Sequence, residues 1–350
     1  MKKLRLAIIG YGGMGSYHGR TLLKTENYEV CGIYDVDESR YAAAQADGIK
    51  AFGAYGSRED IAGDKTCDAV LIATPNDFHL EYVEYFANAK KHVICEKPVG
   101  LSSGEYARML EVCEKNGVKF AVHQNRRWDS DFLTVKKMYD TNSVGKIRRI
   151  ESRVQGGNGI PGDWRKFREK GGGMMLDWGV HLIDQLVYML PVLPESVYCD
   201  YSFAQGFEVD DGFRLILKYK EGLTAEIIVD TDCFINTPRW IVYGENGTAI
   251  IKNWELDGEI IEPIYCKDYK IAGIKAGNGF TKTMAYRDKE TVVKRELDRV
   301  YPPENAFYDA FYNWVENGKE FPVKPAQVMA VMKIMEAAYK SATENAVIKL

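Results

Sequence analysis

The feature that most constrains this chain is its opening, MKKLRLAIIGYGGMG. A short apolar run, Leu4 to Ile9, passes directly into the turn Gly10-Tyr11-Gly12-Gly13-Met14-Gly15. Short apolar runs bounded by turn signals read as buried strands. The turn matches G-x-G-x-x-G, and residues 13–25 behind it have a helical pattern. In a strand–turn–helix unit of this kind Gly10 makes the tight turn. Gly12 lets a pyrophosphate approach the backbone, and Gly15 lets helix and strand pack closely. The helix N-terminus turns N–H groups and positive potential toward phosphates. Taken alone, the motif is equally an ordinary glycine turn.

The pattern behind it continues for about 120 residues. YEVCGIYD is a strand ending at Asp35, and DESRYAAAQAD is helical. CDAVLIAT (67–74) is a strand, and 76–90 a helix with Asn76 or Asp77 at its N-cap. KHVICEKP is a strand stopped by Pro98. LSSGEYARMLEVCEKNG is a helix capped by Ser102 or Ser103 and closed at Asn116-Gly117, and VKFAVHQ is the next strand. Strands separated by helix-length segments imply a parallel, doubly wound α/β sheet. Beyond about residue 125 the pattern changes. After a helix at 129–140, a strand near 146–155 and a helix at about 174–190, strands follow one another from 195 to 265. Hairpin turns fall at Glu221-Gly222 and Asn246-Gly247. Two helices, near 304–317 and 326–342, and a short strand close the chain. Two domains are expected, 1–125 and 126–350, as 350 residues suggest. The second should hold an open, mostly antiparallel sheet with helices on one face.

Composition excludes several classes. Hydrophobic residues are 46% and charged residues 27%, which rules out wholesale disorder. The net charge of −4 argues against a nucleic-acid partner. No run of about 18 apolar residues exists, so no membrane span is expected. The seven cysteines, Cys31, Cys67, Cys95, Cys113, Cys199, Cys233 and Cys266, are scattered and contain no C-x-x-C. They fit reduced thiols in a cytoplasm, with no disulfide framework and no zinc site.

Asp35 strengthens the reading of the glycine turn. A carboxylate at the end of the second strand can accept hydrogen bonds from an adenosine ribose and repels a 2′-phosphate. NAD is therefore expected over NADP, with Asp37 adding to the repulsion unless Arg40 folds back to offset it. The alternative is a turn aspartate capping the next helix. A methyltransferase uses a similar turn and acid, so adenosine binding is firmer here than nicotinamide binding.

Further candidates sit where parallel strands end, the edge at which such sheets bind ligands. Thr74, Pro75 and Asn76 follow one strand; Glu96 and Lys97 follow the next. His79 belongs either to this edge or to its helix face. In GGGMMLDWGVHLIDQL, Asp177 and His181 are four apart, a spacing that shares one helical face. It suits an acid–base pair, because histidine carries a proton near neutrality and a carboxylate can orient it. It equally suits a surface salt pair. No chelating spacing supports a metal. Gln124, Arg127 and Trp128 follow a strand near the domain junction, and Trp164, between Asp163 and Arg165, precedes the glycine run. They serve either the substrate or packing. His123 is a strand-end position, and His18 and His92 suggest no role.

Together GYGGMG, Asp35, TPN at 74–76, EKP at 96–98 and GGGMMLDWGVHLID resemble the Gfo/Idh/MocA family over most of the chain. The resemblance implies a Rossmann domain followed by an open-sheet α/β domain. It implies NAD(P)-dependent hydride transfer to or from a hydroxyl or keto carbon of a sugar, glycoside or cyclitol. It implies Lys97, Asp177 and His181 as working residues, and a homodimer or homotetramer formed through the C-terminal sheet. Two other readings remain: a glycosidase of the same family that oxidises its substrate transiently, and a non-catalytic NAD sensor, which would have no need of Lys97, Asp177 and His181.

Overall fold

The protein is described from a computed structural model that covers residues 2–265 and 270–350; Cys266 lies outside the described residues. The first half alternates as its sequence pattern implies. The order is β1 (Leu4–Ile9), α1 (Gly13–Leu22), β2 (Tyr28–Tyr34), α2 (Ser39–Ala46), α3 (Arg58–Gly63), β3 (Ala69–Ile72), α4 (His79–Asn88), β4 (His92–Cys95), α5 (Ser103–Asn116) and β5 (Phe120–Val122). The five strands form one parallel sheet in the order β2-β1-β3-β4-β5. Strand β3, AVLI, is buried along its whole length, as a strand covered on both faces must be. Helix α5 shows how local chemistry sets its ends. Ser102 accepts the Glu105 N–H at the start, and Gly117 adopts φ +66° after the last turn. Helix α3 is the element that the sequence pattern does not announce. It is one short turn whose Ser57 and Asp60 form a capping box.

The second half begins with α6 (Ser130–Asp140) and β6 (Ile147–Gln155). A π-helical turn (Met175–Gly179) runs into α7 (Val180–Met189). Then come β7 (Ser196–Ser202), β8 (Gly212–Lys218), β9 (Thr224–Asp230), β10 (Trp240–Gly244), β11 (Thr248–Ile251), β12 (Gly258–Pro263), the hairpin β13 (Ile274–Ala276) and β14 (Gly279–Thr281), and β15 (Val292–Arg295). Helices α8 (Ala306–Asn317) and α9 (Pro325–Glu344) and strand β16 (Ile348–Lys349) end the chain. Nine strands form one sheet in the order β15-β12-β11-β10-β6-β9-β8-β7-β16. All its pairs are antiparallel except β6 with β9. Hydrophobic alternation is regular in β9, TAEIIVD, where every second residue is buried.

Two features depart from a clean division at residue 125. First, α8 packs on the nucleotide sheet's side of the molecule. Tyr28 donates to the Tyr308 carbonyl (2.7 Å) and Tyr312 to the Lys2 carbonyl (2.8 Å). Second, Arg127, considered above as a substrate contact, is only 1% exposed. Its Nε and Nη2 each donate to Asp184 on α7 at 2.7 Å, and its Nη1 donates to the Pro322 carbonyl and to Gln327, both at 2.9 Å. Four of the five guanidinium N–H groups are spent on buried protein acceptors, so Arg127 pins the end of the first sheet to α7 and α9. Burial pushes the Asp184 carboxyl upward, opposed by the Arg127 charge. Removing one member of such a pair strands the other. Arg127→Met should cost about 3–5 kcal/mol of stability in urea denaturation; a loss below about 1 kcal/mol would contradict this role.

Candidate active site

The glycine turn has the geometry its spacing implies. Gly10 has φ +84°, and a Cβ there would lie 2.8 Å from the Ala73 carbonyl oxygen. A Cβ on Gly15 would lie 2.0 Å from the Gly10 carbonyl oxygen, so both close approaches require glycine. At Gly12 and Gly13 an added Cβ meets nothing within 4 Å, which leaves the backbone approachable, and Met14 beside them is exposed. Asp35 closes the turn, accepting from the Tyr11 N–H (2.6 Å) and the Asp37 N–H (2.9 Å). Arg40 pairs with Asp37 at 3.3 Å. These residues, with the buried and unpartnered Thr74 Oγ1 and Gln124 Oε1 at two other strand ends, fit a dinucleotide laid along this edge.

His79 acts on this edge indirectly. It is fully buried, with Nδ1 2.9 Å from the Pro98 carbonyl and Nε2 3.1 Å from the Thr74 carbonyl. It ties the loop after β3 to the loop after β4. Burial pushes its pKa down, and a neutral ring donates to one carbonyl at a time. Asn76, between those loops, reaches across to the second half and donates to the Gly171 carbonyl at 2.9 Å.

Lys97 and Asp177 meet where the halves face each other. Lys97 Nζ donates to Asp177 Oδ1 at 3.0 Å and to its carbonyl at 2.9 Å. Arg165 holds the other oxygen, Oδ2, at 3.3 Å and also pairs with Asp163 at 2.6 Å. Burial would raise the Asp177 carboxyl, but Lys97 and Arg165 outweigh it and hold the acid below its usual range. Helical spacing is not what relates Asp177 to His181. The π turn carries Asp177, with the Val180 N–H reaching back five residues to Met175. Among the described residues no hydrogen bond joins the two side chains. Gly179 leaves room for the side chains packed on the turn, since a Cβ there would lie 2.6 Å from Met175 Sδ and 3.1 Å from Phe213 Cζ. His181 is 4% exposed and its Nδ1 is buried without a partner. Burial first, then the charges of Lys97 and Arg126, push its pKa well below the ordinary value, so the ring is neutral.

Arg126, passed over in the sequence, lines a cavity of about 500 Å³ beside this centre. Its guanidinium lies 4.2 Å above the Trp178 ring and 5.6 Å from that of Trp254. Trp178 in turn is 6.2 Å from the His181 ring. Gln155, Asn158 and Asp230 supply polar wall. Only its neighbour relation to Arg127 marks Arg126 in the sequence; which of two adjacent arginines turns inward depends on the tight turn at 125–128. Trp128 packs edge-on against Phe307 on α8 (5.9 Å). Trp164 carries the Arg165 guanidinium 4.7 Å over its ring.

His18 and His123, left without a firm role above, converge on Glu96. His18 Nε2 and His123 Nδ1 both lie 2.7 Å from Glu96 Oε1, and the Lys97 N–H donates to Oε2 at 3.0 Å. Tyr308 O–H completes the chain on His18 Nδ1 at 2.5 Å. The three groups could also be drawn as cation ligands; the 2.7 Å from His18 Nε2 is a hydrogen bond, while His123 Nδ1 lies in ion-pair contact without hydrogen-bond geometry. Burial pushes Glu96 up, yet His123 and His18 outweigh it and hold the carboxyl ionised, well below its usual range.

Comparison with known proteins agrees with this geometry. A family model described as "Oxidoreductase family, NAD-binding Rossmann fold" matches residues 4–124, and a "GFO/IDH/MocA C-terminal domain" matches residues 132–250. An uncharacterised oxidoreductase of Schizosaccharomyces pombe is 30% identical over 91% of this chain and 92% of its own. A scyllo-inositol 2-dehydrogenase (NADP(+)) of Bacillus subtilis is 28% identical over 99% of this chain and 96% of its own. The crystal structure of an NAD-binding protein from Listeria innocua superposes over the full length of both chains with TM-score 0.96 and 43% identity. The chain belongs to the Gfo/Idh/MocA family of oxidoreductases, with an NAD-binding Rossmann domain at its N-terminal end.

Proposed function

We propose that this oxidoreductase transfers a hydride between nicotinamide and a hydroxyl-bearing ring carbon of a sugar or cyclitol. The observation that carries the reading is His181: a buried, neutral imidazole with an unpartnered nitrogen, beside Lys97 and next to a polar, tryptophan-walled cavity. The inositol dehydrogenase among its relatives supports the substrate class. Bound nicotinamide supplies the hydride acceptor, or the donor in reduction. The turn at Gly10–Gly15, Asp35 and the loop Thr74–Asn76 would hold the dinucleotide. His181 takes the hydroxyl proton, and Lys97, aimed by Asp177, donates to the same oxygen and stabilises its developing negative charge. Arg165 keeps Asp177 in place. Asp35, and an Arg40 already paired with Asp37, favour NAD over NADP.

The test is a panel of polyols, inositols and glycosides with NAD and NADP, following reduced cofactor. Net reduction by at least one polyol, faster with NAD, is expected; failure of the whole panel would sink the proposal. Net accumulation also separates this reaction from transient oxidation that ends in glycosidic cleavage, after which NAD returns unchanged. His181→Asn should lower kcat by about 10²–10⁴-fold. If it turns over normally while Lys97→Met is dead, the proton goes to Lys97 instead.

The pH dependence follows from the sign of the His181 shift. Burial and two neighbouring cations disfavour its protonated form, so the base survives to lower pH than an ordinary histidine. The acid limb of kcat/KM for oxidation should lie below about pH 6.5. A limb above that value would show that another group titrates.

We also propose that chains associate through the open face of the nine-stranded sheet. Helix α9 packs on β7, and α7 packs on α9. On the alternate positions of the strands, Ile216, Ile228, Ile241, Tyr243 and Ile250 remain half-buried, interleaved with Arg149, Glu151, Arg153, Arg214 and Glu226, a mixed apolar and charged face suited to a second sheet. Light scattering should give the mass of two or four chains, and Ile228→Lys should reduce it. A monomer at micromolar concentration would refute this assembly.

A further inference from the structure

The segment that offers Gly171 to Asn76 also walls a second cavity, of about 390 Å³, through Arg168, Gly171 and Gly172. That volume is in the range of small-molecule sites. Its lining has two parts. One is aromatic: the Tyr201 ring centre lies 6.4 Å from those of Phe203 and Tyr339. The other is acidic: Glu208, Asp210 and Glu336 against the single cation Arg168.

Most of these charges are spent within the protein. Arg168 donates to the Glu208 carbonyl (2.6 Å) and the Tyr339 hydroxyl (3.2 Å), and Glu208 accepts the Arg168 N–H (2.8 Å). Glu336 accepts from the Ser103 N–H (2.6 Å) and hydroxyl (2.9 Å). Asp210 differs. It is 7% exposed, and its Oδ2 accepts the Met175 N–H at 2.7 Å. The backbone N–H groups of Met174 and of Asp210 itself also favour the carboxylate, but no cation pairs with it as a salt-bridge partner among the described residues. Burial outweighs these N–H groups and pushes its carboxyl up to about 7.

A carboxylate that lacks a cation, beside three aromatic rings, is the chemistry that holds an organic ammonium ion. Ring faces attract the positive charge, and the acid pairs with it. Three methionines in the lining supply adaptable apolar contact for the rest of such a molecule. We propose that this cavity binds a small organic ammonium compound, its charge between Asp210 and the rings of Tyr201, Phe203 and Tyr339. The site is separate from the Lys97–His181 centre and stands or falls independently of the reaction assigned there.

Calorimetry on the full chain tests it, with benzyltrimethylammonium as probe and benzyl alcohol and benzoate as neutral and anionic counterparts. One saturable site per chain is expected for the cation, at least about tenfold tighter than for benzyl alcohol, with no binding of benzoate. Asp210→Asn keeps an acceptor for Met175 and should weaken the cation about tenfold. Tyr339→Ala removes a half-exposed ring, leaves folding intact and should weaken it severalfold. Met335→Trp should fill the cavity and abolish binding. The proposal is overturned if the cation does not bind at millimolar concentration or if the three probes bind alike. It is also overturned if a folded Tyr339→Ala protein binds as the parent does.

Discussion

A single ionised carboxylate, Glu96, holds the nucleotide half of this protein to its reactive edge. Burying a charge costs several kcal/mol unless it is surrounded by donors. Here the donors come from different parts of the chain, His18 on α1 and the backbone N–H of Lys97, and the His123 ring at the end of β5 adds an ion-pair contact. Each is held where it is because the carboxylate needs it. Lys97, the lysine proposed to face the substrate, is the residue next to the buried acid, so its backbone is set by the same interaction.

The two halves then divide the electrostatic work. The first supplies the cation Lys97; the second supplies Asp177 and Arg165 to hold it and the uncharged His181 to stand beside it. Positive charges next to an imidazole disfavour its protonation, which suits the base role proposed for His181. The arrangement works only while the halves keep their spacing, and the contacts of Asn76 with Gly171 and of Arg127 with Asp184 maintain it.

Much of this is legible in the amino-acid sequence because it is local. The glycine turn, the serine and glycine caps of α5 and the hairpin turns each depend on a few adjacent residues, and their chemistry can be read in place. Lys97, Asp177 and His181 could be nominated from motif and family likeness. The relation among them could not. Four-residue spacing implies a shared helical face for Asp177 and His181, whereas the π turn gives Asp177 to Lys97 and Arg165. The inversion of Arg126 and Arg127 has the same origin: adjacent residues on a tight turn point apart, and only tertiary contacts decide which is buried. Glu96 and His18 lie 78 positions apart, so no pattern in either neighbourhood reveals their pairing.

Helix α8 carries a consequence for how the molecule is completed. The residues of the nucleotide sheet emerge first during synthesis, yet the hydroxyl that caps His18 and the aromatic side chains that cover Tyr28 arrive some 180 residues after that sheet has ended. Until they do, a polar cluster at the heart of the nascent unit faces water. The nucleotide half is therefore made well before the helix that finishes it, and a fragment cut at the apparent boundary would lack its own lid.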